Sequence, residues 1–162
     1  MGVLNVTPDS FSDGGQLLSR EGLLHDRLLE RATQMVADGA AILDIGGEST
    51  RPGAAPVSLQ EELDRVMGAV QLIAPRLDVI LSIDTSTPEV MREATKAGAG
   101  LLNDVRAFSR EGAMAVAVAS QLPVSLMHMS DEPDRMQEQT AYDDVVTDVK
   151  AFLAHRIAAC RE

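Results

Sequence analysis

Short apolar runs alternate with amphipathic helical stretches along the whole chain, and this alternation is the feature that most restricts its fold. Five runs of three to six residues occur: Met1–Val6, Ala41–Ile45, Val79–Ile83, Gly100–Leu102 and Pro123–Met127. These runs are almost continuously apolar, which predicts parallel strands buried on both faces rather than strands with one exposed face. The sequence therefore predicts five consecutive βα units, an α/β fold and a parallel sheet.

The helical stretches carry their own start signals. Ser58 and Glu61 have the spacing of a capping box, which predicts the beginning of the second helix. Thr87 is a predicted N-cap, because Pro88 follows it at the first helical position. The other three helices are predicted at Leu24–Val36, Glu111–Ser120 and Asp143–Arg161.

Two architectures fit such a repeat: an open doubly wound sheet and a (β/α)8 TIM barrel. An open sheet has one dominant ligand loop at its switch point, whereas here at least four strands end in polar, turn-rich clusters. A ring of such loops favours the TIM barrel. A complete barrel has eight units in typically ~250 residues. The 162 residues are therefore predicted to form one domain, 1–162, that is an incomplete barrel of about five βα units.

The net charge of the chain restricts the classes of partner that it is expected to bind. A net charge of −11 repels nucleic acid and anionic membranes, so neither is an expected partner. The N-terminus has no secretory signal pattern, and the single Cys160 excludes an internal disulfide framework, so a cytoplasmic location is expected. An anionic ligand would need basic residues in the site, and Arg51 and Arg106 are the candidates.

The first strand leads into a long polar segment. Asn5 stands where a barrel strand reaches the site, and its amide oxygen suits a hard cation such as Mg²⁺, although it could instead satisfy backbone groups. The segment from Thr7 to Gly15 suits a mobile lid. Phe11 lies within that segment, where an aromatic ring either folds over a ligand or packs against a neighbouring loop.

The second strand leads into the stretch Asp44–Gly53, DIGGESTRPG. Gly46 and Gly47 either give the backbone conformations closed to other residues or allow a close approach. Arg51 offers a forked donor for carboxylate or phosphate, or else forms a salt bridge with Glu48. Such a loop at the carboxyl end of a strand indicates a binding site rather than a plain connection.

The remaining strand ends carry residues that suit a heterocyclic ligand. Asp84 is predicted to be part-buried and to pair with adjacent N–H donors of a ring, unless it or Thr85 caps the following turn. Asn103 can read the edge of a ring with its donor and acceptor. Met127 either packs on a flat ring or belongs to the core, and a lone His128 does not by itself establish acid–base catalysis. No nucleophile is evident, so catalysis would rest on positioning and electrostatics.

The chain resembles bacterial dihydropteroate synthases, a pterin-binding TIM-barrel family, over essentially its whole length. The resemblance is carried by MGVLNVTPDSFSDGG at 1–15, DIGGESTRPG at 44–53, residues 82–85 with 103–104, and LMHM at 126–129. It implies a transferase that joins 6-hydroxymethyl-7,8-dihydropterin pyrophosphate to p-aminobenzoate in folate biosynthesis, assisted by Mg²⁺ and inhibited by sulfonamides. It also implies a homodimer of the full-length protein.

The resemblance implies roles at the pyrophosphate and at p-aminobenzoate. Asn5 resembles the Mg²⁺ ligand near the pyrophosphate. Thr50 and Arg51 resemble residues that contact the pyrophosphate and order the p-aminobenzoate site. The loop that closes over p-aminobenzoate corresponds to a set of first-loop residues, namely Pro8, Asp9, Phe11 and Ser12.

The resemblance also implies the pterin site. Asp84 and Asn103 resemble the residues that hold the pterin edge, and Met127 resembles a methionine that lines the pterin pocket. The implied reaction is dissociative: the C–O bond to pyrophosphate breaks, a pterin cation forms, and the aniline nitrogen attacks it. The expected catalytic residues are Arg51, Asp84 and Asp9.

The resemblance covers about five of the family's eight βα units. The family's further pterin-binding Asp, its lysine in a glycine-rich loop and its late Ser-Arg and Arg-x-His motifs have no counterpart in this chain. A polypeptide that ends at Glu162 is therefore expected to have little or no synthase activity. Two alternatives stay open: a non-catalytic pterin-binding paralogue or fragment, and the pterin-binding domain of corrinoid-dependent methyltransferases. The TPDSF and STRPG loops argue against the methyltransferase.

Overall fold

The computed structural model describes residues 1–7, 21–48, 57–129 and 141–161, in which five strands and five helices alternate strictly. The elements are β1 (Gly2–Asn5), α1 (Glu21–Ala37), β2 (Ile42–Gly46), α2 (Leu59–Ile73), β3 (Ile80–Asp84), α3 (Pro88–Lys96), β4 (Leu101–Asp104), α4 (Ala113–Ser120), β5 (Val124–Leu126) and α5 (Val145–Ala159). The predicted number and order of elements are confirmed, with strand ends shifted by one or two residues. None of these described helices is long and apolar enough to cross a membrane.

The strands form one parallel sheet in the order β1-β2-β3-β4-β5. Each strand pairs with the next one along the chain, whereas a doubly wound sheet reverses its order at a switch point. Consecutive helices from α1 to α4 contact each other in the same order. The topology therefore confirms the wall of a TIM barrel and excludes the doubly wound alternative.

The hydrophobic core lies between the sheet and the helices. Alternate strand positions such as Ile45 and Ile83 are fully buried and meet apolar residues of the helices, including Met91. Burial of each such side chain contributes about 1.5–3 kcal/mol. Because neighbouring strand residues point to opposite faces, the intervening polar residues, such as Asp44 and Asp84, lie on the face away from the helices. The same alternation that builds the core therefore collects polar groups on the other face.

The prediction that all five strands are buried on both faces is wrong for β1 and β5. Val3 in β1 is 50% exposed, and the three residues of β5 are only partly buried. Both are edge strands, with one neighbouring strand each among the described residues. An apolar sequence predicts that a strand will be buried, but it does not reveal which part of the molecule covers it.

The structure tests two of the predicted helix starts. The capping box is confirmed, because the Glu61 N–H donates to Ser58 Oγ and the Ser58 N–H donates to Glu61 Oε2, at 3.4 and 3.1 Å. Thr87 is the N-cap residue of α3, but its side chain makes no capping hydrogen bond. Its hydroxyl instead donates to Glu62 Oε2 at 2.7 Å, which ties the start of α3 to α2.

Candidate active site at the carboxyl ends of the strands

One row of paired residues crosses the carboxyl ends of the strands and contains three of the predicted site residues. Asn5 pairs with Gly46, Gly46 with Asp84, Asp84 with Asn103, and Asn103 with Ser125. Partners in a parallel sheet point to the same face, so the side chains of this row lie side by side. The strand register thus brings Asn5, Asp84 and Asn103 together. We call the whole row of five paired residues the edge row: Asn5, Gly46, Asp84, Asn103 and Ser125.

Gly47 is required for space, and neither Gly46 nor Gly47 is required for backbone conformation. Neither has a positive φ angle, so the conformational explanation is wrong. A Cβ atom at Gly46 would lie 3.5 Å from both Asn5 Oδ1 and Asp84 Oδ2, and one at Gly47 would lie 2.9 Å from Val66 Cγ2. A side chain at Gly46 would therefore lie against Asn5 and Asp84, and the lack of one at Gly47 lets α2 approach the end of the strand.

Alanine at each of these two glycines is expected to separate stability from ligand binding. Gly47→Ala should lower the free energy of unfolding by about 1–3 kcal/mol, because the added methyl group overlaps α2. Gly46→Ala makes only ordinary contacts and should cost less than about 1 kcal/mol, while its methyl group lies against Asn5 Oδ1 and Asp84 Oδ2 and weakens ligand binding. Denaturant unfolding and ligand titration of both variants test this; an equal loss of stability in the two would contradict it.

Asp84 has a strongly perturbed carboxyl group. Burial, followed by the charges of Asp44, Asp104, Glu48 and Glu62, raises the pKa of Asp84 from 3.8 to about 7. A ligand that donates N–H groups to this carboxyl stabilises its ionised form and lowers the pKa again. Such a group at the carboxyl ends of parallel strands is typical of a functional site.

Asp44 lies one level below the edge row, where its register partner is Ser82. It is 6% exposed. Ser82 Oγ donates to Asp44 Oδ1 at 2.5 Å, and Asn103 Nδ2 donates to both carboxylate oxygens at 3.4 and 3.2 Å. Sequence reasoning assigned no role to Asp44, although a carboxylate between the apolar residues Leu43 and Ile45 was an available signal.

A second buried carboxylate connects α2 to the loop after β3. Glu62 is 4% exposed and accepts hydrogen bonds from Thr85 Oγ1 at 2.5 Å and from Thr87 Oγ1. Thr85 Oγ1 in turn accepts from the Thr87 N–H at 3.0 Å. Of the two residues predicted as alternative caps for this turn, Thr85 takes the role. Glu62 was missed by the sequence reasoning, although it shares the buried stripe of α2 with Val66.

Arg106 lies among protein groups at the strand ends. Its side chain is 8% exposed, Nη1 donates to Ser86 Oγ at 3.0 Å, and the same atom lies 3.6 Å from Glu48 Oε2. Asp104 is fully buried and accepts hydrogen bonds from the Ser86 hydroxyl and from the Arg106 N–H. The contact of Arg106 with an anionic ligand stays a prediction.

Met127 and His128 directly follow β5. Met127 is 39% exposed, so its assignment to the core is wrong, and it is accessible to a ligand. The ring of His128 packs edge-on against Phe152 of α5, with centroids 5.0 Å apart, and lies 5.9 Å from the ring of Tyr142. These contacts give His128 a packing role between β5 and α5.

Asn5 is the predicted ligand of Mg²⁺. Among the residues that the structure describes, no three His, Cys, Asp or Glu side chains converge as a metal centre. Mg²⁺ nevertheless takes most of its ligands from water and substrate phosphates and needs only one or two from protein. Asn5 is exposed and stands in the same row as Asp84, so its amide oxygen fits an ion that a pyrophosphate would share.

The other predicted site residues lie outside the described ranges. They are Pro8, Asp9, Phe11, Ser12, Thr50 and Arg51. The predicted lid and the alternative salt bridge between Arg51 and Glu48 fall there too. The roles of these residues stay predictions.

Known proteins are similar to this chain in sequence and in fold. The dihydropteroate synthase of Escherichia coli K12 is 50% identical over the whole chain. A Yersinia pestis dihydropteroate synthase solved with a sulfonamide drug has a TM-score of 0.84 and 51% identity over 98% of the chain. Two Xanthomonas albilineans synthase structures, with 4-aminobenzoic acid and with 7,8-dihydropteroate, have TM-scores of 0.86 and 0.81, identities of 43% and 39%, and each cover 99% of the chain.

The match has a defined extent. The chain spans about half the length of the relatives it matches: 56% of the E. coli and Y. pestis proteins, and 55% and 53% of the two X. albilineans chains. The family model described as "Pterin binding enzyme" matches residues 1–162, the full length of the chain. The chain therefore belongs to the pterin-binding enzyme family.

Proposed function

We propose that this chain supplies part of the active site of a dihydropteroate synthase. The whole protein would join 6-hydroxymethyl-7,8-dihydropterin pyrophosphate to p-aminobenzoate, giving 7,8-dihydropteroate and pyrophosphate. The observation that carries the proposal is the edge row, because it sets Asp84 beside Asn103 at the strand ends of a chain 50% identical to a synthase. The 4-aminobenzoic acid, the 7,8-dihydropteroate and the sulfonamide in the related structures support this choice of substrates.

Asp84 and Asn103 bind the pterin in this proposal. A pterin has a guanidine-like edge on which N–H donors lie next to each other, and an ionised carboxylate accepts two such donors at once. Asn103 stands beside Asp84 in register and extends the same recognition surface. Gly46 places no side chain between Asn5 and Asp84 in this row.

The leaving pyrophosphate is stabilised by charge and by hydrogen bonds. Asn5 would hold Mg²⁺ through its amide oxygen, and the bound ion supplies positive charge to the leaving group. Thr50 and Arg51 are proposed to contact the pyrophosphate directly. The C–O bond breaks with both electrons leaving on the pyrophosphate; the amine of p-aminobenzoate then forms the C–N bond and loses a proton. The amine is the nucleophile, which is consistent with a site that needs none from protein.

The first loop is proposed to form the p-aminobenzoate site. Its residues Pro8, Asp9, Phe11 and Ser12 close over p-aminobenzoate, and Met127 lines the pterin pocket. The whole protein is proposed to be a homodimer, as the family resemblance implies, and to be located in the cytoplasm.

The order of binding tests the proposed function. The test uses a full-length barrel, defined here as a complete synthase-type barrel that carries residues 1–162 as its amino-terminal part. Calorimetry should detect p-aminobenzoate binding only when pyrophosphate or the pterin pyrophosphate is present, because the loops must order first. A pterin-binding methyltransferase domain or a pterin-only paralogue would be indifferent to p-aminobenzoate. If p-aminobenzoate does not bind even when pyrophosphate or the pterin pyrophosphate is present, the proposal is contradicted.

Arg51→Ala should affect one substrate more than the other. In the full-length barrel we expect kcat/KM for p-aminobenzoate to fall about 100-fold, because a forked charge-assisted contact is lost. The dissociation constant of the pterin should change by less than about threefold. Arg92→Ala is the matched control, since it removes the same charge from the exposed face of α3. Unaltered p-aminobenzoate kinetics in Arg51→Ala would show that the role of the second loop is misassigned.

A further inference from the structure

The edge row contains one side chain whose orientation decides what it recognises. Asn103 presents a carbonyl oxygen and an NH₂ group on one planar amide, and a half-turn of that amide exchanges donor for acceptor. A ligand edge with one donor and one acceptor matches only one of the two orientations. Whatever fixes the Asn103 amide therefore also fixes which ligand edge is accepted.

Asp44 fixes that amide. A carboxylate accepts hydrogen bonds and has none to give, so the group that faces both Asp44 oxygens, at 3.4 and 3.2 Å, is the NH₂ of Asn103. Ser82 donates a separate hydrogen bond to Asp44 Oδ1 from the neighbouring strand. One N–H and the carbonyl oxygen of Asn103 remain, in a fixed order.

The network is placed to act on the ligand without touching it. Asp44 is 6% exposed and one level below the edge row, whereas Asn103 is half-buried and beside Asp84. A carboxylate buried in the middle of an apolar strand is costly unless it is hydrogen-bonded, and here its partners are Ser82 and Asn103. We propose that Asp44 is a positioning residue for ligand selectivity, which holds the Asn103 amide in one orientation so that the site accepts the donor–acceptor order of a pterin edge.

This inference rests on the proposed function, and pteridine chemistry provides a matched pair of probes. Pterin presents a 2-amino donor next to a ring-nitrogen acceptor. Lumazine, the 2,4-dione, presents a carbonyl acceptor next to a ring N–H, which is the reverse order on the same bicyclic frame. A fixed Asn103 distinguishes the two, and a freely turning Asn103 pairs with either.

The experiment measures the affinities of pterin and lumazine for the full-length barrel and its variants. The wild type should prefer pterin by about 100-fold or more, because Asp84 and a fixed Asn103 both reject a ligand of the wrong polarity. Asp44→Asn keeps the size of the side chain but offers both a donor and an acceptor to Asn103. The preference for pterin should therefore fall about 10-fold. An unchanged preference, with both affinities reduced equally, would show that Asp44 is merely structural and would overturn the inference.

Two controls isolate the path through Asn103. Ser82→Ala removes a partner of Asp44 but keeps the Asn103 contacts, and it should leave the preference within about twofold of the wild type. In an Asn103→Ala background, Asp44→Asn should cause no further change in preference, as expected for two residues that act as one unit. A change of the same size in that background would overturn the inference.

A measurement on the wild type covers the case in which Asp44→Asn does not fold. The side-chain NH₂ of Asn103 should show one proton protected from solvent exchange and one that exchanges quickly; two equally fast protons would overturn the inference. Absence of any pterin binding by the wild-type barrel would refute the proposed function and this inference with it. Pterin binding with an unchanged preference in Asp44→Asn would refute the inference alone.

Discussion

Asp84→Asn is expected to weaken pterin binding to the full-length barrel by at least about 100-fold, because an ionised acceptor of two N–H donors is lost. The wild-type affinity should also depend on pH. The raised pKa of about 7 leaves the carboxyl largely protonated at pH 6, where it accepts poorly. Affinity should therefore rise roughly tenfold per unit as the pH increases towards 7 and level off above it, whereas Asp84→Asn should show no such rise. An unchanged dissociation constant in the variant would refute the edge-reading role.

The same substitution should increase stability. In the folded protein Asp84 keeps its proton up to a pH of about 7, whereas in the unfolded chain it loses the proton near its ordinary pKa of 3.8. The folded state thus binds more protons between these values, so the contribution of Asp84 to stability falls as the pH rises from about 4 to 7. Asp84→Asn should raise the free energy of unfolding at pH 8 by about 1–3 kcal/mol, with the gain vanishing near pH 4. Thermal and denaturant unfolding of the chain at both pH values tests this; a loss of stability at pH 8 would contradict it.

Asp104→Ala is expected to cause the largest loss of stability, about 3–5 kcal/mol. The fully buried carboxylate accepts from the Ser86 hydroxyl and from the backbone N–H groups of Arg106 and Phe108, the last at 2.7 Å. Ala107 and Phe108 have φ angles of 50° and 59°, a left-handed conformation that these residues adopt only when their surroundings impose it. The variant leaves these donors unpaired and removes the hydrogen bonds that hold the turn in its left-handed conformation.

Two further variants show whether the loss of stability in Asp104→Ala comes from this turn. Asp104→Asn keeps one acceptor oxygen and should cost less than Asp104→Ala. Arg156→Ala acts from the other side of the turn, where the guanidinium of α5 donates to the carbonyl oxygens of Ala107 and Phe108, both at 2.8 Å. It should cost about 1–2 kcal/mol, because Arg156 is only partly buried. Denaturant unfolding ranks the three variants, and a cost below about 1 kcal/mol for Asp104→Ala would refute the role of this carboxylate.

The secondary structure could be predicted because its signals are local. The capping box at Ser58 and Glu61 lies within four residues, and both of its hydrogen bonds are present. The apolar runs marked the strands to within two residues, and the polar cluster after each run indicated the end at which the site lies. Asn5, Asp84 and Asn103 were found in this way, since a barrel places the ends of its strands together.

The contacts that hold the site residues in place could not be predicted, because they depend on the register between strands and on helix packing. Asp44 meets Ser82 and Asn103, which are 38 and 59 positions away in the sequence, and no local pattern pairs them. The need for glycine at position 47 could not be predicted either, because the sequence does not show that α2 packs against this residue. Thr87 has a capping sequence, but its hydroxyl binds Glu62, a partner that only the packing of α2 provides.

The formation of 7,8-dihydropteroate tests the central claim most directly. A full-length barrel that carries residues 1–162 is incubated with 6-hydroxymethyl-7,8-dihydropterin pyrophosphate and p-aminobenzoate, and product and pyrophosphate are followed beside the Asp84→Asn variant. We expect equal amounts of product and pyrophosphate from the wild type, and a rate reduced at least about 100-fold in the variant. A folded barrel that binds the pterin pyrophosphate yet forms no dihydropteroate, or a variant as active as the wild type, would contradict the assignment of this site.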